Sequence, residues 1–216
     1  MNASDPRTPT PAADEPSSSG PHDTVADPSA MTLATDEATS LPVLLLPGWL
    51  DSGPGHWQTL WESRFGWLRV VQDDWQWPRR GDWMARLDEV LLAQPGPVVL
   101  AAHSLGCLLV AAWAAHSSHT HRVRGALLVA PPDTERADMP PQLFNWRPIV
   151  RRRLPFAATV VFSEDDPYGS ADHARALAAA WGAKAISLGA AGHINADSGL
   201  GDWPQGQALV KALARA

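Results

Sequence analysis

Three residues far apart in the chain have the types that acyl-transfer chemistry needs. Ser104 sits in AHSLGC (102–107), at the seam between an apolar run and a second apolar run of different period. Serine is a weak nucleophile at neutral pH; it needs a base, and the base needs an acid to orient it. His193, in the Gly-rich stretch AAGHINADSGLGDW (190–203), is the candidate base. The acid is sought in SEDDPYGS (163–170), where Glu164, Asp165 and Asp166 are adjacent, with Asp133 as a further candidate. Asp166 is preferred because the following Pro167 restricts its backbone to extended conformations and so fixes where the carboxylate points. The order serine, acid, histidine is the one used when all three stand at the carboxyl ends of successive parallel strands. The competing use of Ser104 is as an ordinary helix N-cap.

Such a site must also hold the oxyanion of a tetrahedral intermediate, which takes two backbone amides. One expected donor is Leu105, at the start of the helix after the serine. The other is Trp49, in LLLPGWLDSGPGHW (44–57), where Gly48 allows a tight turn. His56 and Trp57, near the same loop, are candidate pocket residues, with Trp61 close behind in sequence. Cys107 reads as a small apolar helix residue, and Arg151 to Arg153 as a solvated cluster. His116, His119 and His121 lack a thiol or carboxylate partner nearby in sequence, so no metal is expected. The chain has no Gly-rich phosphate loop, so no cofactor is expected either.

The elements that must position these residues can be read from apolar periodicity. LPVLLLP (41–47) is a short continuous apolar run ended by Pro-Gly, as in a strand buried on both faces, and LRVVQ (68–72) is a weaker candidate. Helical spacing runs through GDWMARLDEVLLAQPG (81–96) and stops at Pro-Gly. Strand 97–102 and the Ala- and Leu-rich helix 105–116 follow, then strands 125–132 and 157–163, helix 171–182, strand 183–189 and a closing helix within 203–216. Strands alternating with helices predict an α/β domain around a mostly parallel sheet. A sharp strand-to-helix turn at Ser104 brings neighbouring chain close, and Ala102 and Gly106 supply the small flanks it needs. The segment 131–154 interrupts the alternation with prolines, and reads equally as a lid or as an irregular surface excursion.

Composition narrows the function. The chain has 216 residues, 45% hydrophobic and 19% charged, which suits one globular domain. A formal charge of -6 with no basic face argues against nucleic acid. No apolar run is long enough to span a bilayer, and one cysteine excludes an internal disulfide. Residues 1–40 are rich in Pro, Ser, Thr, Ala and acids, without the basic start or apolar core of a secretory signal. They are expected to form a disordered tail preceding a domain at 41–216; Met31 is an alternative start. The expected setting is cytoplasmic.

On LPGWLDSGPGHWQTLWE (46–62), AHSLGC (102–107), SEDDPYGS (163–170) and AGHINADSGLGDWPQG (191–206), the chain resembles the α/β-hydrolase superfamily. More narrowly, it is similar to the small serine hydrolases related to retinoblastoma-binding protein 9 and to the YdeN-like proteins. The serine motif departs mildly from the usual G-x-S-x-G, with Ala102 in place of the first glycine. The resemblance implies an α/β-hydrolase fold, a compact three-layer sandwich with little or no cap, and a triad on Ser104, Asp166 and His193. The expected activity is hydrolysis of small carboxylic esters or thioesters, with amides or short peptides next. The competing expectation is a silent hydrolase fold that binds a partner or small ligand.

Overall fold

The structure is a computed structural model that describes residues 41–216. The expected tail at 1–40 lies outside the described residues. Six strands form one sheet: β1 (Val43–Leu46), β2 (Leu68–Arg69), β3 (Val98–His103), β4 (Val123–Val129), β5 (Ala157–Phe162) and β6 (Lys184–Ser187). Their spatial order is β2-β1-β3-β4-β5-β6, and every pairing is parallel. Among the described residues five α-helices accompany them: α1 (Trp57–Phe65), α2 (Arg80–Leu92), α3 (Leu105–His116), α4 (Ala171–Trp181) and α5 (Pro204–Ala214). This is the expected α/β architecture.

Side chains alternate across a strand, and the two buried clusters follow that alternation. Leu44, Leu46, Leu100, Ala102 and Leu128 face one core with Leu87 of α2, Trp113 of α3 and Leu177 of α4. Val43, Leu45, Val99, Ala101 and Val129 face the other, with Trp57 and Trp61 of α1 and Val210 and Leu213 of α5. Three helices therefore cover one face and two the other, and β1, like β3 as far as Ala102, is apolar throughout because both faces are buried.

Three elements differ from the sequence reading. Helix α1 was not anticipated, because Asp51-Ser52-Gly53-Pro54-Gly55 before it reads as loop. Its start is set by the His56 imidazole, whose Nδ1 accepts the Gln58 N–H at 3.1 Å, and its end by Gly66 in the left-handed conformation. The 68–72 candidate is a strand only over Leu68–Arg69, at the sheet edge. The 131–154 segment has one short 3-10 turn, Pro141–Trp146, and buries Met139, Leu143, Trp146, Ile149 and Leu154 against the α2, α3 and α4 face. It is tied down by Trp146 Nε1 donating to the Pro78 carbonyl at 2.9 Å and by Asn145 Oδ1 accepting the Arg80 N–H at 2.9 Å.

Candidate active site

Ser104 occupies the turn between β3 and α3 with φ 53° and ψ -122°. A non-glycine residue is rarely held there, and such strain persists only where the surroundings enforce it. Here the Ser104 N–H donates to the Val129 carbonyl at 2.8 Å, and the chain passes so tightly that a Cβ on Gly106 would lie 2.3 Å from the Leu46 carbonyl oxygen. The same closeness holds above the serine. A Cβ on Gly48 would lie 2.7 Å from Ser104 Cβ, so the β1 loop passes directly over the hydroxyl.

The histidine loop is positioned from three directions. Ala191 N–H donates to Ser163 Oγ and Gly192 N–H to Asp165 Oδ1, both at 2.8 Å, fastening it to the end of β5. Trp57 Nε1 of α1 donates to the Ile194 carbonyl at 3.0 Å. His103, the last residue of β3, shares a hydrogen bond of 2.9 Å between its Nε2 and the His193 carbonyl, in which the ring nitrogen is the donor.

These constraints bring Ser104, His193 and Asp166 together. His193 Nε2 lies 2.9 Å from Ser104 Oγ, and its Nδ1 lies 3.0 and 2.9 Å from the two Asp166 carboxylate oxygens. The Asp166 side chain is 3% exposed and accepts the Tyr168 N–H at 2.9 Å. Tyr168 in turn packs edge-on against His193, ring centres 4.6 Å apart. The other acids stand elsewhere: Asp165 braces the loop, Glu164 pairs with Arg175, and Asp133 faces His173 at 3.7 Å.

A cavity of about 270 Å³ opens over Ser104, lined by Trp49, Leu50, His56, Leu105, Met139, Leu143 and Tyr168 among others. Among the described residues, neither the Trp49 nor the Leu105 backbone N–H is seen donating to an acceptor. Expectation and structure part at Trp57. It does not line the cavity but lies 1% exposed in the core beneath, packed at an angle against Trp61 and Trp203, because α1 turns it inward. Trp61 is likewise fully buried. Met139, Leu143, Tyr168 and His103 were not singled out from the sequence; only the adjacency of His103 to Ser104 carried a signal.

His56 and His103 flank the site as neutral imidazoles. Burial, then Arg69 and His193 nearby, lowers the His56 pKa to about 4. Burial, then His193 and His56, holds His103 well below the ordinary histidine range. In the unfolded chain both titrate near about 6.5, so the unfolded state binds more protons below that pH. Stability is therefore expected to be complete above about pH 6.5 and to fall as the pH drops toward 4, His56 alone contributing roughly 2 to 3 kcal/mol. Melting temperatures recorded from pH 8 to pH 4 check this, and His56→Asn should flatten the decline.

The serine hydrolase family model matches residues 43–212. The chain belongs to that family. This serine hydrolase also resembles a YdeN-like hydrolase from Pectobacterium atrosepticum, with a TM-score of 0.72 at 30% identity over 87% of this chain and 96% of that one. The ydeN gene product of B. subtilis shares the fold at a TM-score of 0.65 and 20% identity, over 82% of this chain and 100% of the other. An esterase from Rhodococcus sp. shares it at 0.60 and 14%, over 82% and 92%. No curated protein matches the chain. The serine hydrolase is thus an enzyme of α/β-hydrolase fold, and among its described residues no helix is long and apolar enough to cross a membrane.

Proposed function

We propose that this enzyme hydrolyses small carboxylic esters or thioesters through an acyl-enzyme on Ser104. What supports the reading is the unbroken row of hydrogen-bond distances from Asp166 through His193 to Ser104, 2.9 Å at each link. Ser104 Oγ gives its proton to His193 Nε2 and attacks the carbonyl carbon. Asp166 accepts the Nδ1–H, which keeps Nε2 free to act as base and stabilises the imidazolium that forms. The Leu105 and Trp49 amides hold the oxyanion. His193 returns the proton to the departing alcohol or thiol, leaving the acyl group on Ser104. Water then attacks with His193 again as base, releasing the acid and restoring the serine. The expected setting remains the cytoplasm.

A fluorophosphonate probe, which reacts only with an activated serine, is the direct test. Wild type should label and should hydrolyse p-nitrophenyl acetate and butyrate, and Ser104→Ala should do neither while keeping its melting temperature. A folded wild type that neither labels nor turns over would instead favour a silent binding fold.

A further inference from the structure

The cavity over Ser104 straddles the carboxyl edge of the sheet, and its two sides have different chemistry. Leu105, Met139 and Leu143 belong to the apolar core on the α2, α3 and α4 face, and Trp49 packs against that core. Gly53, His56, Asn195 and Ala196 line the cavity from the loops of the opposite face, where α1 begins and the histidine loop ends. The apolar side is held rigidly by the anchored 131–154 segment.

The polar side carries an unanswered donor. His56 Nδ1 is committed as acceptor to the Gln58 N–H, which puts the proton of the neutral ring on Nε2. That Nε2 is buried and has no hydrogen-bond partner, and the residue is only 4% exposed. A buried donor without an acceptor is unfavourable, and a ligand oxygen admitted to it recovers the lost hydrogen bond.

His193 decides which half takes which part of a substrate. As general acid it must protonate the leaving oxygen, and its loop forms the polar side. We propose that the acyl group, short to medium and apolar, lies against Leu105, Met139 and Leu143, while the alcohol portion lies beside His56 and carries a hydroxyl or other acceptor oxygen. The preferred substrates are then apolar acyl esters of small hydroxylated alcohols. This assignment rests on the serine-hydrolase reading of the same pocket.

Two ratios of kcat/KM test it, so any general loss of activity cancels. For the alcohol side, 2-hydroxyethyl butyrate is compared with propyl butyrate, which differs by hydroxyl against methyl. Wild type should favour the hydroxylated ester by about tenfold, the worth of one hydrogen bond. His56→Asn, which can still cap α1 but lacks the distant donor, should bring the ratio toward one. For the acyl side, p-nitrophenyl octanoate is compared with butyrate. Leu143→Ala should raise that ratio by about tenfold and Met139→Phe should lower it. Because one variant enlarges the pocket and the other narrows it, misfolding of either leaves the other to decide. A wild-type alcohol ratio near one, a ratio unmoved in His56→Asn, or an acyl ratio unmoved in the folded variants would each overturn the division. Failure of wild type to label with fluorophosphonate or to hydrolyse any ester would instead overturn the hydrolase reading beneath it.

Discussion

Asp166→Asn should lose roughly four orders of magnitude in kcat with little change in KM. An asparagine at this position keeps the shape of the side chain but offers an N–H to His193 Nδ1. The ring then keeps its proton on Nε2, 2.9 Å from Ser104 Oγ, and cannot accept the hydroxyl proton. The remaining rate is that expected from the proposed oxyanion donors and from binding. Asp165→Asn is the informative comparison. Its carboxylate accepts the Ser163 hydroxyl at 2.6 Å and the Gly192 N–H at 2.8 Å but does not touch the imidazole. Its loss should loosen the histidine loop and lower kcat by roughly tenfold, not ten-thousandfold. Steady-state kinetics of the two variants on p-nitrophenyl butyrate distinguish an orienting acid from a loop brace. Equal losses would mean that the carboxylate facing His193 has been misassigned.

Gly106→Ala should be the most destabilising single methyl group in the domain. The added Cβ would stand 2.3 Å from the Leu46 carbonyl oxygen and 3.0 Å from that of Pro47, both backbone atoms at the end of a fully buried strand. Neither can swing aside as a side chain would, so α3 must move as a body or β1 must bend. We expect a destabilisation above about 4 kcal/mol, and a melting temperature lower by roughly 10 °C or more. Gly96→Ala, where an added Cβ meets nothing within 4 Å, should stay within about 0.5 kcal/mol of wild type. Thermal melts of the pair measure how far the strand-to-helix turn depends on that one close approach. Labelling of any folded Gly106→Ala protein should also fall, because Ser104 sits two residues from the displaced backbone.

Much of this was legible from one sequence because parallel strands announce themselves. Val98–Ala102 and Leu127–Val129 are buried on both faces, so they read as continuous apolar runs, and Ser104 and Asp166 each follow such a run, whereas His193 follows the mostly exposed edge strand β6. The helix at 105–116 was legible to the residue, since nothing in it interrupts the apolar surface. What the periodicity misses depends on contacts distant in sequence. Helix α1 is short, carries Gln58 in its buried face, and satisfies that amide through Ala101 and Ser52, partners no local pattern reveals. Trp57 looks like a pocket residue because it follows the β1 loop, yet the helix rotates it beneath His103. The choice of Asp166 over Asp165 rested on a proline, a local argument; the facing of Asp166 toward His193 depends on a contact between residues 27 positions apart.

Because every neighbouring pair of strands is parallel, no two are joined by a hairpin, and each pairing must wait for a complete crossover. Chain order then becomes order in time. During synthesis β1, β3 and β4 are available well before β5, so the strained turn at Ser104 is complete in sequence while the histidine proposed as its base is still unmade. The hydrogen bond from His103 to the His193 carbonyl joins residues 90 positions apart and cannot close until the chain has been made past His193. On the mechanism proposed above, a nascent chain carries a serine with nothing to activate it until the loop at 190–195 docks, and acquires the power to cleave an acyl bond only when its folding is nearly finished.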